Sequence, residues 1–381
     1  QNATTPLDPL VLNARLPYCK DIFGNASSVH EFGRLARKGI DDARLKVASL
    51  LGANDVDEIV FTGSGTESDN FAIKGIANAL KPKGDHIITS SIEHYAVLNA
   101  CKFLERNGYK VTYLTVDKLG IVDLDELKRS ITDKTILISV MYANNEVGTI
   151  QPVEDIAEIA KQKGVLFHTD AVQAVGKIPI DVGKLGVDLL SLSAHKLYGP
   201  KGVGALFIKK GIKPTPLLHG GHHEKNMRAG TENVAGIVGF GKAAELAAKN
   251  MDKEIPYIKA LRDRLEQGML ENIKYTYLNG HPKNRLCNTT NISFKFLEGE
   301  SIILNLDMEG IGVSTGSACT SGTLEPSHVL TAMGIDPIRA QGSVRFSLGK
   351  MNSEEEVDYL IKTLPPIIEK LRKMSPLYKE E

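Results

Sequence analysis

The sequence predicts an α/β protein, with a mostly parallel sheet in a large domain and a smaller α+β domain beside it. Three observations carry this expectation. Short apolar runs alternate with amphipathic stretches of helical spacing from residue 34 to residue 208. That is the pattern of β–α units whose sheet is covered on both faces. The chain has 381 residues, 42% hydrophobic and 24% charged, which is too long for one small core and ordinary for a globular protein. After a long helical stretch over residues 235–272 the texture changes. The expected division is a large domain over residues 16–252 and a small one built from residues 1–15 and 253–381.

The elements follow in order. Leu35, Ile40, Ala43, Val47, Leu50 and Leu51 recur at helical spacing, so residues 34–51 form a helix that ends near Gly52. Residues 58–62 read as a strand, residues 63–68 as a glycine-containing turn, and Phe71, Ile76, Ala79 and Leu80 mark the next helix. Strands are expected at 86–90, 110–114 and 135–142, separated by helices at 96–107 and 124–130. A helix at 153–163 leads to strands at 165–169, 189–193 and 203–208. Beyond the long helix, residues 289–296 alternate like a strand, and helix–strand pieces run to the end. Internal repeats and low-complexity segments are not visible.

Lys+Arg and Asp+Glu both number 46, so the formal net charge is zero, and neither a nucleic acid nor an anionic membrane is favoured as a partner. The apolar runs, such as residues 136–140, are far too short to span a bilayer. No secretory signal is visible, and residues are expected to precede Gln1 because it is not a methionine. Four cysteines, Cys19, Cys101, Cys287 and Cys319, lack CxxC spacing, which fits neither a zinc site nor a disulfide framework. A reducing, cytoplasmic setting suits such free thiols.

The most informative stretch is Ser191-Leu192-Ser193-Ala194-His195-Lys196, which delivers one lysine from the end of a buried strand. A lysine so placed suits a Schiff base, because its amine can be desolvated and its pKa lowered. A solvated strand-end lysine fits the same residues. Gly63-Ser64-Gly65-Thr66-Glu67-Ser68 stands between strand and helix, where backbone N–H groups and the Thr66 hydroxyl can cradle a phosphate. It also fits a structural turn and matches no nucleotide fingerprint.

Asp170, in His168-Thr169-Asp170-Ala171-Val172-Gln173, ends another strand. A carboxylate there can pair with a protonated pyridine nitrogen or cap the next helix. His94, in Ser90-Ser91-Ile92-Glu93-His94, can stack on a flat ring and shuttle protons, or simply begin a helix. The amides of Asn144-Asn145-Glu146 can orient a substrate or build a turn. His219-Gly220-Gly221-His222-His223-Glu224 has no recognised metal-ligand spacing, and no metal is expected. Cys319 lies among small polar residues in Ser314-Thr315-Gly316-Ser317-Ala318-Cys319-Thr320-Ser321-Gly322-Thr323, a setting for an exposed nucleophile rather than a core thiol. Arg345, in Ser343-Val344-Arg345-Phe346-Ser347, alternates with apolar neighbours and suits a substrate carboxylate or an interdomain ion pair.

Taken together these stretches resemble the cysteine desulfurases of the NifS/IscS type, in the class V branch of the fold-type I pyridoxal-phosphate enzymes. The resemblance runs through Asn2-Ala3-Thr4-Thr5-Pro6, Thr66-Glu67-Ser68, Glu93-His94, Asn144-Asn145-Glu146-Val147-Gly148, Thr169-Asp170-Ala171-Val172-Gln173 and Ser193-Ala194-His195-Lys196. It continues through residues 228–231, Gly316-Ser317-Ala318-Cys319, Leu324-Glu325-Pro326-Ser327 and Arg345-Phe346-Ser347-Leu348. No one motif decides; their order along the whole chain is specific.

The resemblance implies pyridoxal 5'-phosphate as cofactor, L-cysteine as substrate and a large cofactor-binding domain of fold type I. It implies that Lys196 holds the cofactor as a Schiff base and moves the substrate Cα proton, while Asp170 pairs with the pyridine nitrogen. Gln173 bonds the ring oxygen, and His94 stacks on the ring and assists proton transfer. Gly65, Thr66, Ser193 and His195 hold the phosphate, and Thr231 reaches the phosphate of a partner subunit in a homodimer. Asn145, which also meets the cofactor, and Arg345 bind the substrate carboxylate. Cys319 takes the sulfur as a persulfide and alanine leaves. The residues around Cys319 and the Leu324-Glu325-Pro326-Ser327 segment resemble the long-loop group, which serves an iron–sulfur scaffold protein. Departures are Gly65 where alanine is common and Ala26 where proline is common, neither expected to touch the chemistry; the initial strand that the family carries before Asn2 is left open by a sequence that begins with Gln1. The rival expectations are a class V aminotransferase or selenocysteine lyase, which keeps Lys196 and Asp170 without needing Cys319, and a sulfur-carrying or metal-handling protein using Cys319 and the histidines at 219–223.

Overall fold

The computed structural model describes residues 1–315, 326–376 and 378; Cys319 lies outside them. The chain opens with α1 (Pro9–Lys20) and α2 (Glu31–Leu51), followed by β1 (Ile59–Thr62), α3 (Gly65–Leu80), β2 (His86–Ser90), α4 (Tyr95–Arg106) and β3 (Lys110–Leu114). Then come α5 (Leu124–Ser130), β4 (Thr135–Ser139), α6 (Val153–Lys163), β5 (Leu166–Asp170), α7 (Val182–Leu185), β6 (Leu189–Ser193) and β7 (Gly204–Ile208). The helix α8 (Val234–Asn272) leads to β8 (Thr276–Asn279), β9 (Thr289–Phe294), α9 (Gly299–Met308), α10 (His328–Ala332), α11 (Pro337–Gln341), β10 (Ser343–Ser347) and α12 (Glu354–Met374).

Seven strands form one sheet in the order β1-β7-β6-β5-β4-β2-β3. All pairs from β6 to β3 are parallel, whereas β7 runs antiparallel to both its neighbours. The cause is the connection after β6: residues 194–203 hold only one short helical turn, and a parallel return needs a crossover of a dozen or more residues. The chain therefore doubles back, and β1 closes the edge beyond β7 while pointing the same way as β6. As a result the C-terminal ends of β1, β2, β4, β5 and β6 open on one side of the sheet, where open α/β folds bind ligands.

One face of the sheet is covered by α2, α6 and the first half of α8, through Ile40, Val47, Leu51, Ile156, Ala160, Ile237 and Phe240. The other is covered by α3 and α4, through Phe71, Ile73, Ile76, Val97, Cys101 and Leu104. Past Pro256, α8 enters a separate core: Leu261, Leu265 and Met269 pack with Ile292, Phe294, Val344, Phe346, Leu360 and Leu364. That core lies against the three-stranded antiparallel sheet β10-β9-β8. Among the described residues, no helix is long and apolar enough to cross a membrane.

Most expected elements stand within a residue or two of their predicted ends. The strand expected to reach residue 142 stops at Ser139, because the chain leaves the sheet to build the Asn144 turn. The helix α1 has no counterpart in the sequence expectation. Its signal is the Asp8-Pro9 pair: Asp8 Oδ1 accepts from Leu10 N at 2.8 Å, and Pro9 starts the helix where its missing N–H costs nothing.

Candidate active site

The strand ends on the open side surround a cavity of about 310 Å³. Gly65, Thr66, His94, Asn145, Asp170, Gln173, Ser193, His195, Lys196 and Arg345 all line it. These ten come from widely separated parts of the sequence.

One corner is built for an anion. Ser64 caps α3, its Oγ accepting from Glu67 N at 3.1 Å. Gly65 and Thr66 then occupy the first turn, where backbone N–H groups find no carbonyl within the helix and the helix dipole favours negative charge. Ser193, at the end of β6, brings a buried Oγ with no hydrogen-bond partner among the described residues. His195 adds an imidazole held at Nδ1 by Thr4 Oγ1 at 3.1 Å. Burial, reinforced by nearby Lys196, Lys201 and Lys177, pushes its pKa down to about 4, so the ring is neutral. Gly65 stands close to the cavity wall: a Cβ there would lie 2.7 Å from Val172 Cγ2.

The floor holds carboxylates. Asp170 is buried at the end of β5 and accepts from Val172 N at 2.9 Å. Burial raises its pKa, while His94, the Val172 N–H and Lys196 oppose that rise. A carboxylate in this state gains from any cationic N–H set against it. His94 caps α4 by accepting from Ala96 N at its Nδ1, 3.1 Å away. Burial lowers the His94 pKa. The neutral ring therefore carries its proton on Nε2.

Lys196 ends the short turn after β6. Its Nζ donates to the backbone carbonyls of Asn2 at 2.5 Å and Ala3 at 2.8 Å. Gln173 Nε2 donates to the same Asn2 carbonyl at 3.0 Å. The two amides at 144–145 divide their work. Asn144 builds the turn, its Oδ1 accepting from Glu146 N and Val147 N and its Nδ2 donating to Ile92 O. Asn145 lines the cavity and lends its backbone carbonyl to Arg345 Nη1 at 2.9 Å.

Thr231 is exposed and is not among the residues that line this cavity. The histidine run at 219–223 leads not into the cavity but to Glu224, whose carboxylate forms a two-pronged pair with Arg44, both bonds 2.7 Å, and accepts from Phe61 N at 2.8 Å.

The cavity also holds Asn2, Ala3, Ser64, Asp69, Tyr95, Glu146 and His328, to which the sequence reading gave no task. His328 Nε2 contacts the Glu93 carbonyl at 2.9 Å, and its ring centroid lies 4.8 Å from that of Tyr95. Ser327 Oγ donates to Glu146 Oε2 at 2.5 Å. The signal for these residues was adjacency: each neighbours a motif residue that had been singled out.

This donor set fits pyridoxal phosphate. An anion corner, a buried carboxylate for a cationic ring nitrogen, an imidazole at the wall and one lysine converge on a single cavity. Residues 1–360 match the family of class-V aminotransferases. The chain is 57% identical to "Cysteine desulfurase IscS" of Dictyoglomus turgidum over 379 residues, covering 100% of this chain and 96% of the relative. It is also 57% identical to "Cysteine desulfurase IscS" of Methanosarcina thermophila over 380 residues, covering 100% and 94%. A solved structure described as a NifS-like protein superposes with a TM-score of 0.91 at 42% identity, over 97% of this chain and 98% of that one. The chain belongs to the cysteine desulfurases of the class-V aminotransferase family, and its cofactor is pyridoxal phosphate.

Proposed function

We propose that the protein converts L-cysteine to L-alanine and keeps the sulfur as a persulfide on Cys319, for delivery to iron–sulfur cluster assembly. The observation that carries this reading is the convergence of Lys196, Asp170, His94 and the α3 N-terminus on one cavity, in a chain 57% identical over its full length to proteins named cysteine desulfurase. Bound pyridoxal phosphate supplies an electron sink at the carbon bearing the substrate amine.

The protein's own residues then have these roles. The first turn of α3, Ser193 and His195 hold the phosphate. Asp170 holds the ring nitrogen protonated. Gln173 bonds the ring oxygen, and His94 covers the ring. Arg345, with Asn145, reads the substrate carboxylate through a planar guanidinium fork. Lys196 Nζ anchors the cofactor and carries the substrate Cα proton. The Cys319 thiol gives up its proton and its sulfur bonds the substrate sulfur as the substrate's carbon–sulfur bond breaks. The electron pair of that bond stays with the carbon, which takes up a proton and leaves as alanine, while the sulfur stays on the enzyme as a persulfide.

Thr231 belongs to the site of a second copy. Leu10, Leu12 and Leu16 on α1, and Phe23 and Phe32 beside them, are exposed, Phe23 to 73%. A patch of this kind marks an interface, and the molar mass in solution should be that of a homodimer. The covered faces of the sheet support a large domain over residues 16–252 and the core past Pro256 a small domain over residues 253–381, whereas Val11 and Leu7, expected with the small domain, pack into the large-domain core. The reaction belongs in the cytoplasm, where Cys19, Cys101 and Cys287 stay as free thiols. The sulfur acceptor is an iron–sulfur scaffold protein.

The test is Cys319→Ala, loaded with cofactor and given L-cysteine. The native protein should form alanine and carry one extra sulfur atom on its Cys319 peptide, read by alkylation and mass spectrometry. The variant should keep the cofactor and lose both products. Alanine formation at the native rate in Cys319→Ala would contradict the sulfur-transfer role and favour a lyase that does not use the thiol.

A further inference from the structure

Behind the anchoring lysine stands a second one. Lys177, in the turn after β5, donates from Nζ to the Gln173 backbone carbonyl at 3.0 Å and to Gln173 Oε1 at 3.3 Å. An ammonium accepts nothing, so the oxygen end of the Gln173 amide must face Lys177, and the Nε2–H end is left to donate. Nε2 does so, to the Asn2 carbonyl at 3.0 Å, the same oxygen that receives Lys196 Nζ. Both lysines also line one small enclosed space of about 30 Å³, whose charged walls are Asp8, Glu254 and Lys350.

We propose that Lys177 is a positioning residue of the cofactor site: it fixes which end of the Gln173 amide faces the cofactor, and its charge makes a proton on the Lys196 nitrogen easier to lose. The proposal rests on the pyridoxal-phosphate reading above. Other charged groups act on the same pair. Asp170, His94, His195 and the Gln1 amine lie within electrostatic reach of Lys196, and the Cys287 thiol within reach of Lys177. Mutual repulsion of the two lysines is consistent with the Lys177 amine itself, whose pKa falls to about 8 through burial first and Lys196 second. An amine titrating there is mostly charged at neutral pH and loses its charge, and with it its influence, as the pH rises past that point.

The experiment is a pH titration of the visible absorbance of the cofactor-loaded protein, comparing native, Lys177→Met, Lys177→Gln and Lys177→Arg. Cofactor uptake by the native protein is checked first, since its failure would sink the cofactor reading and not this one. Removing the positive charge should move the absorbance midpoint upward by about one pH unit in both neutral variants. Lys177→Arg, which keeps the charge and the donors, should return it toward the native value. A midpoint that stays put in whichever neutral variant folds and binds cofactor, or that moves downward, would overturn the proposal and leave Lys177 as packing alone.

Discussion

Asp69 and Asp170 line the cavity as buried carboxyl groups, Glu93 is buried within electrostatic reach of both, and burial raises the pKa of each. Glu93 is pushed up to about 8, although its Oε1 accepts from Ser90 Oγ at 2.6 Å and Met141 N at 2.9 Å. The folded protein thus keeps a proton on Glu93 that the unfolded chain releases near pH 4.5. Stability must then fall as pH rises from about 4.5 to about 8, by about 1.4 kcal/mol per pH unit for this one group. Glu93→Gln should remove that slope. In urea unfolding of the cofactor-free protein, the variant should gain on the native protein steadily between pH 5 and pH 8. A constant difference across that range would contradict the assignment. His168 acts in the opposite sense: its pKa is pushed down to about 3 by burial, so its contribution is lost as pH falls from about 6.5 toward 3. Lys196, Asp170 and His94 were legible because each ends a strand or starts a helix in a distinctive local motif. Glu93 and Asp69 were not: their surroundings come from distant elements, such as the Met141 N–H 48 positions away from Glu93.

At the scale of elements, the turn at 222–228 is the least expected piece. Glu224, Lys225 and Asn226 all adopt left-handed backbone angles, with φ of 44°, 56° and 68°. Such angles are costly for residues with side chains and persist only where the surroundings enforce them. Here the enforcement is the buried pair with Arg44 of α2, which also donates to the Ile59 carbonyl at 2.6 Å. Arg228, just beyond, reaches Glu67 in α3 at 2.9 Å, so the turn braces the helix whose first residues form the anion corner. Glu224→Gln leaves Arg44 buried without its counter-charge and should cost about 3 kcal/mol in urea unfolding. A loss below about 1 kcal/mol would show that the turn does not depend on the pair. The sequence reading expected no metal at the histidines before Glu224, but a run of His and Glu does not reveal that its carboxylate turns inward to a distant arginine. The reversal of β7 was likewise hidden. Periodicity marks a strand and not its direction, and only the shortness of residues 194–203 carried the information.

Across the whole molecule, the site gathers Asn2, Gly65, His94, Asn145, Asp170, Lys196 and Arg345 from one end of the chain almost to the other. The alternation of strand and helix made that gathering foreseeable, since parallel strands deliver their C-terminal residues to one edge. The part played by the first residues was not foreseeable, because it lies in backbone carbonyls: those of Asn2 and Ala3 hold Lys196 whatever their side chains. The small domain enters through Arg345, and its neighbour Ser314 is laddered to it, with Arg345 N donating to Ser314 O at 2.7 Å. The arginine proposed to read the substrate carboxylate thus sits beside Ser314, five positions before Cys319 in the sequence. The claim on which everything else depends is that Lys196 anchors pyridoxal phosphate in this cavity and that cysteine reacts there. The most direct measurement is the visible absorption spectrum of the purified protein supplied with pyridoxal phosphate, before and after L-cysteine, for the native chain and for Lys196→Ala. The native protein should show a band at about 390–430 nm that changes on adding L-cysteine, and the variant should lack it. A native protein that stays colourless with pyridoxal phosphate, or a Lys196→Ala variant with the same band and the same response, would contradict the account.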